Sequence, residues 1–223
     1  DDRAYTDGLR VFTTIHGEQQ KFAQDAVIRG LMEYDRRHGW RGVEQTLIGT
    51  TLFDWKRQLA SVDAIGPLQP AVVVSVTDNS IRAVTSDEQS IVIEKQGFEW
   101  AREYRSVNSI GPRVKDARTL VEPGDLIRVL QDEKRWWLAQ KPSVESGFVA
   151  LDPNTGAIRA MIGGFNYFES KFNRATQGGR LVGSGIKPLI YAAALESGMT
   201  PATLINDAPV VFDQTEGATD WRP

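Results

Sequence analysis

The sequence predicts an α+β chain of several parts: a strand and helix, a small OB-like β-barrel, and a β-hairpin that runs into a helix and so opens an α/β unit. Three observations carry this. Apolar residues recur at helical spacing between Glu18 and His38, and five short β-type runs crowd between Ala71 and Ala139. An alternating pair of runs around Pro153-Asn154-Thr155-Gly156 then precedes an alanine-rich stretch closed by Gly198.

In the first part, Leu9, Val11, Thr13 and Ile15 alternate with Arg10, Phe12 and Thr14, a period of two that predicts a half-buried strand. Ala23, Val27, Leu31 and Tyr34 then form one apolar stripe, and Gly39 is placed to end that helix. From Trp40 to Pro70 the pattern weakens, and Gly66-Pro67 with Pro70 marks a boundary. The β-type runs follow at residues 71–76, 80–85, 90–94, 126–130 and 135–139, and Glu122-Pro123-Gly124-Asp125 reads as a tight turn feeding the fourth. Five such runs fit a small barrel of the oligonucleotide/oligosaccharide-binding kind. The third part opens on a hairpin from Gly147 to Ile162, closed by Gly163-Gly164, and ends on a helix from about Ser184 to Ser197. The expected division is a strand-helix linker over 1–65, the barrel over 66–142 and the hairpin-helix unit over 143–223.

Composition narrows the function classes. Of 223 residues 41% are hydrophobic and 25% charged, enough to build cores, and a net charge of −3 recruits neither nucleic acid nor anionic membrane. The absence of cysteine excludes thiolate catalysis, disulfides and cysteine-based zinc sites. No apolar run is long enough for a bilayer span or a signal peptide. A start at Asp1-Asp2 and an end at Trp221-Arg222-Pro223 read as the ends of a fragment.

The chemistry concentrates at Gly183-Ser184-Gly185-Ile186-Lys187-Pro188. A serine is a weak nucleophile at neutral pH unless a neighbouring base takes its proton. Three residues apart on a helix, Ser184 and Lys187 share a face, which makes Lys187 the candidate general base. Pro188 requires the serine to sit in the first turn, where free amides and the positive helix end favour developing negative charge. The plainer reading of the same spacing is a helix cap followed by a solvated lysine, and the spacing alone leaves both open.

The surroundings add a resemblance. Phe172-Asn173-Arg174-Ala175-Thr176-Gln177, the serine motif, and Tyr191-Ala192-Ala193-Ala194-Leu195 together resemble the active-serine region of class A, bifunctional penicillin-binding proteins. Residues 147–164 resemble the first hairpin of that family's transpeptidase domain, and residues 9–15 with Tyr34-Asp35-Arg36-Arg37-His38-Gly39 resemble the linker after its glycosyltransferase domain. The likeness is greatest to the 1a type of Gram-negative bacteria, which carries an OB-like insertion.

The resemblance implies the N-terminal part of a penicillin-binding, β-lactamase-like transpeptidase domain, with Ser184 as the acylated nucleophile and Lys187 as base. It further implies peptidoglycan stem peptides and β-lactams as ligands, no cofactor and no metal. The parent would stand on the periplasmic side of the inner membrane, held by an anchor and preceded by a glycosyltransferase domain, neither of them in this chain. An outer-membrane lipoprotein activator would dock on the barrel.

Ser-x-x-Lys with Ser-x-Asn and Lys-Thr-Gly is the signature of penicillin-binding proteins and class A β-lactamases. Only the first element is here: Lys-Thr-Gly does not occur, and Ser106-Val107-Asn108 lies upstream of Ser184, a loop coincidence. The family's oxyanion hole would join the Ser184 amide to an amide from a strand outside this sequence, so the chain alone is expected to be inactive. The alternatives are a serine β-lactamase, which would lack the barrel and linker, and a non-catalytic docking module.

Two further features have bland readings. Trp100, Tyr104, Trp136 and Trp137 could stack nucleic-acid bases, but residues 66–142 hold 11 basic and 11 acidic residues, so core or rim packing is expected instead and no nucleic acid. His16 and His38 are too isolated for a metal site, and Arg36, Arg37 and Arg41 read as a solvated helix end.

Overall fold

The computed structural model describes residues 3–206; Asp1-Asp2 and Trp221-Arg222-Pro223, read above as fragment ends, lie outside the described residues. The chain divides into two compact units between Gly178 and Gly179.

The first unit opens with a helical turn, α1 (Arg3–Thr6), and an extended stretch up to His16. The strand expected over residues 9–15 is absent. Val11 and Phe12 are 81% and 92% exposed, and the alternation meets no sheet face. A period of two drives strand formation only when one side has something to pack on. Single bonds hold the stretch instead: the Thr14 hydroxyl donates to the Ile158 carbonyl (2.7 Å) and the His16 amide to that of Arg159 (2.9 Å).

Helix α2 (Gly17–His38) follows, burying Ala23, Val27, Leu31 and Met32. Gly39 ends it at a φ of 97°, and a Cβ there would lie 2.7 Å from the Arg102 carbonyl oxygen, so glycine alone fits. A two-residue strand β1 (Gln45–Thr46) precedes α3 (Leu52–Leu59). The Thr51 hydroxyl caps α3, accepting from the Asp54 amide at 3.2 Å, and Trp55 and Leu59 turn one face inward.

The barrel strands are β2 (Gln69–Val76), β3 (Ser80–Thr85), β4 (Ser90–Glu94), β7 (Asp125–Asp132) and β8 (Arg135–Ala139), the five runs expected from the sequence. Between β4 and β7 lie α4 (Lys95–Phe98) and a small hairpin of β5 (Tyr104–Ser106) and β6 (Ser109–Ile110). Pairing runs β8-β7-β2-β3-β4, antiparallel throughout, and β4 lies beside β8 to close the ring, a five-stranded OB-type barrel. Strand β1 pairs with Leu126 and Asp125 of β7, so the sheet recruits residues from the stretch read as linker. Pro70, read as part of a boundary, stands inside β2 opposite Arg128.

Two faces of β2 are buried, which explains its unbroken apolar run. Ala71 and Val73 point into the barrel with Ile81, Ile93, Ile127, Val129 and Leu138, closed off by Phe98. Val72 packs on the other side with Trp55 and Leu59 of α3. The feeding turn is as expected: Gly124 has φ of 94°, and the Asp125 amide donates to the Glu122 carbonyl at 3.1 Å.

Beyond the barrel, β9 (Phe148–Leu151) and β10 (Ile158–Ile162) form the expected hairpin, and Ala160, Ile162 and Phe165 share a core with Ala23, Val27, Leu31 and Met32 of α2. Tyr34, expected in that stripe, is exposed and stacks on His38 instead. Apolar burial of this kind contributes roughly 1.5–3 kcal/mol per large side chain and fixes the hairpin on α2.

The second unit holds a 3₁₀ turn (Gly183–Ile186) leading into α5 (Lys187–Glu196). At its end Gly198 has φ of 87°, its amide donates to Leu195, and the Met199 amide donates to Ala194, a Schellman closure. Among the described helices none is long and apolar enough to cross a membrane.

Candidate active site

Ser184 lies in the 3₁₀ turn and not, as expected, in the first turn of the α-helix. The reason is Pro188. In an α-helix the amide of residue 188 would donate to the Ser184 carbonyl, but proline has no amide hydrogen. The Lys187 amide takes that acceptor instead, one residue closer, which is a 3₁₀ bond. Side chains three apart in a 3₁₀ turn lie above one another, so Ser184 and Lys187 still share one side of the chain. Both are exposed, and among the described residues no hydrogen bond joins their side chains. Gly183, with φ of 50°, sets the direction in which the chain enters the turn.

The run Phe172-Asn173-Arg174-Ala175-Thr176-Gln177 belongs to the first unit, where it is stitched to the end of β10. The Arg174 amide donates to the Gly163 carbonyl (3.1 Å), and Asn173 Oδ1 accepts from the Ala175 amide (3.0 Å). Arg174 lies 3.7 Å from Glu145, whose carboxylate also accepts the Phe165 amide at 2.7 Å. Gly163 and Gly164 permit this approach: a Cβ on either would come within 2.8 Å of Asn173 or Arg174.

Other candidates fall elsewhere. Ser106 and Asn108 lie at the exposed tip of the β5-β6 hairpin. His16 is exposed at the start of α2, whereas the His38 ring bonds the Tyr34 carbonyl (2.7 Å) and stacks on the Tyr34 ring at 4.1 Å. Among the described residues no group of three or more His, Cys, Asp or Glu could hold a metal ion. Trp100 and Trp136 pack against the barrel core, and Tyr104 is 39% exposed.

The solvated helix end expected of the arginines is corrected at Arg36. Arg41 is exposed, but it pairs with a buried carboxylate, Asp35. Arg36 lies over the rings of Trp100 (5.7 Å) and Trp137 (5.4 Å), where burial pushes its guanidinium below the ordinary arginine value against the opposing pull of Asp132 and Glu33. An apolar barrel end stands where solvent was assumed. Asp35 itself was missed. Its sequence signal was its place four residues after Leu31, on the buried side of α2.

The fold and the serine turn define a class. One family model, the penicillin-binding protein OB-like domain, matches residues 40–144, and a second, the penicillin binding protein transpeptidase domain, matches residues 146–223. The chain belongs to the penicillin-binding proteins. More particularly, it is similar to penicillin-binding protein 1A of Escherichia coli (strain K12), 39% identical over all of this chain and 27% of that protein. It is also similar to penicillin-binding protein 1A of Pseudomonas aeruginosa (strain PAO1), 41% identical over 99% of this chain and 27% of that protein. The crystal structure of penicillin-binding protein 1A from Haemophilus influenzae superposes with a TM-score of 0.75 at 33% identity, covering 96% of this chain and 30% of that one. The chain thus spans about a quarter of the length of the curated relatives it matches.

Proposed function

We propose that this chain carries the nucleophile of a peptidoglycan D,D-transpeptidase. Ser184 Oγ attacks the carbonyl of the penultimate D-alanine of a stem peptide as Lys187 takes its proton. The terminal D-alanine leaves with that proton on its amine, and the amine of a second stem then resolves the acyl ester. A β-lactam acylates the same oxygen. The observation that carries the reading is the 3₁₀ turn in which Pro188 holds Ser184 one turn ahead of α5, with Lys187 on the same side. The positive end of that helix favours the oxyanion formed on attack.

Around this site we place the rest of the parent protein. It includes a glycosyltransferase domain and a membrane anchor, stands on the periplasmic side of the inner membrane, and offers the barrel as the docking surface for an outer-membrane lipoprotein activator. The division into linker (1–65), barrel (66–142) and transpeptidase portion (143–223) belongs to the same proposal, with β1 contributed to the sheet from the linker side.

Intact-mass spectrometry after penicillin treatment tests it, on a chain extended past Pro223 to the length of its relatives and on its Ser184→Ala variant. A persistent single adduct, lost in the variant, is expected. Rapid release of hydrolysed penicillin would instead make the chain a β-lactamase, and a folded protein without adduct would make it a docking module.

A further inference from the structure

We propose that a trough across the α2 side of the barrel binds a carboxylate-rich, extended peptide segment of a protein partner. Two adjoining cavities, of about 620 and 870 Å³, share Arg113 and Val114 in their walls and so form one trough. Trp100 and Trp137 line one end, and Trp40 and Tyr104 the other.

Its chemistry is that of donors without acceptors. Trp40 Nε1 and Trp137 Nε1, on two of its lining residues, are buried and have no hydrogen-bond partner among the described residues; the same holds for Nε of Arg36, which lines a separate cavity with Glu33 and Asp132. The three belong to one cluster around Trp100: Arg36 lies over Trp100 and Trp137, and Trp40 meets Trp100 edge-on at 5.9 Å. Indole and guanidinium groups donate and cannot accept, so groups that satisfy them must bring oxygen acceptors. Trp100 shows the contrast, since its own N–H is satisfied by the Leu138 carbonyl at 3.0 Å. Buried donors left unpaired are costly, and two of the three, Trp40 and Trp137, stand in the walls of the trough.

Charge selects among acceptors. Arg113 and Lys115 are exposed and make no ion pair among the described residues, whereas the lining acids Glu103 and Asp116 are already held by Arg105 and Arg118. Only Glu99 offsets them, which leaves the trough positive on a chain of net charge −3. Neutral sugars would leave both cations unmatched. A nucleic-acid strand would need a basic domain, and residues 66–142 balance 11 basic against 11 acidic residues. Short carboxylates on a peptide, with apolar atoms against the indole faces, match both features.

The inference rests on the reading of the barrel as a docking surface and adds the place and the chemistry. It stands apart from acyl transfer, because none of these residues lies in the unit that carries Ser184. The test uses the full chain, a fluorescein-labelled octapeptide alternating Glu and Gly, and its Gln counterpart, read by anisotropy and tryptophan quenching.

The Glu peptide is expected to bind at least tenfold more tightly than the Gln peptide. The Arg113→Glu, Lys115→Glu double variant should lose that binding at least tenfold, and Arg57→Glu, outside the trough, should not change it. Equal binding of both peptides, equal binding of a dT10 strand, or an unaffected double variant would overturn the site. Capture of the lipoprotein activator is read separately. Capture by wild type and double variant alike overturns the trough and leaves the docking reading standing, and capture lost only in the double variant supports both.

Discussion

Arg41 grips Asp35 in a two-pronged ion pair, Nη1 to Oδ1 at 2.8 Å and Nη2 to Oδ2 at 3.0 Å, and the carboxylate it holds is almost wholly buried. The same two oxygens accept from Gln140 Nε2 (2.7 Å) and the Ser143 amide (3.0 Å). One carboxylate thus ties the end of α2 to the segment that leaves β8 for the transpeptidase portion. Removing Arg41 strands the buried Asp35 carboxylate, whereas removing Asp35 leaves Arg41 free to turn to solvent, because Arg41 is exposed and Asp35 is not. Arg41→Met is therefore expected to lower the unfolding free energy in urea titration by about 1–3 kcal/mol, less than a fully buried pair would lose, through the unpaired carboxylate. The Asp35→Ala, Arg41→Met double variant should lose less than the sum of the single changes. Additive losses would show that the two residues do not act together.

Glycine at 97 is a packing requirement and glycine at 30 is not. A Cβ at Gly97 would lie 2.6 Å from the Trp136 carbonyl oxygen and 2.7 Å from Ile93 Cγ2, but one at Gly30, on α2, meets nothing within 4 Å. Gly97→Ala should therefore cost about 1–3 kcal/mol through overpacking. Gly30→Ala should stabilise by up to about 1 kcal/mol through helix propensity. Thermal unfolding of the two variants side by side checks the opposite signs.

Asp152 organises the turn between β9 and β10. Its carboxylate accepts from Arg159 (3.1 Å) and from the amides of Asn154 and Thr155 (both 3.0 Å), and these bonds, Arg159 first, pull its pKa down to about 2. A folded-state value below the unfolded one means that the stabilisation is complete above about pH 4 and is lost as pH falls toward 2. Denaturation midpoints of the wild type should drop over that window relative to those of Asp152→Asn. Parallel curves would remove Asp152 from the role.

Lys187→Ala is expected to abolish penicillin acylation in the extended chain while circular dichroism stays unchanged. Undiminished acylation would take the lysine out of the proposed mechanism.

Pro188→Ala restores an amide that can reach the Ser184 carbonyl. The α-helix should then extend back by one turn, with a gain in helical signal and slower acylation because the serine is carried to a new angle. Unchanged kinetics would show that the 3₁₀ turn does not position the nucleophile.

Much of this was readable from residue order. The five barrel strands and the β9-β10 hairpin stand where β-type runs between turn signals placed them. Ala23, Val27 and Leu31 of the α2 stripe are buried as their spacing requires, whereas Tyr34 is exposed and Met32 is buried in its stead. Other elements did not follow, among them residues 9–15 and α3. Residues 9–15 alternate but have no face to pack on, whereas α3 announces itself only by Thr51 and Asp54 at its cap and by Trp55 and Leu59 four apart. Such short signals acquire meaning only once the outer face of β2 is there to cover.

The sequence by itself determined the family, the serine motif and its order along the chain, because these depend on residue identity and on spacings that local geometry makes regular. Tertiary structure alone decided that Asp35 is buried, that Arg41 pairs with it and that Arg36 lies over Trp100 and Trp137. It also gathered three unpaired N–H donors around Trp100, a cluster assembled from α2, from the residues following α2 and α4, and from β8. Burial and partnership between residues as far apart as Asp35 and Ser143 are set by how elements pack, and no local period encodes that packing.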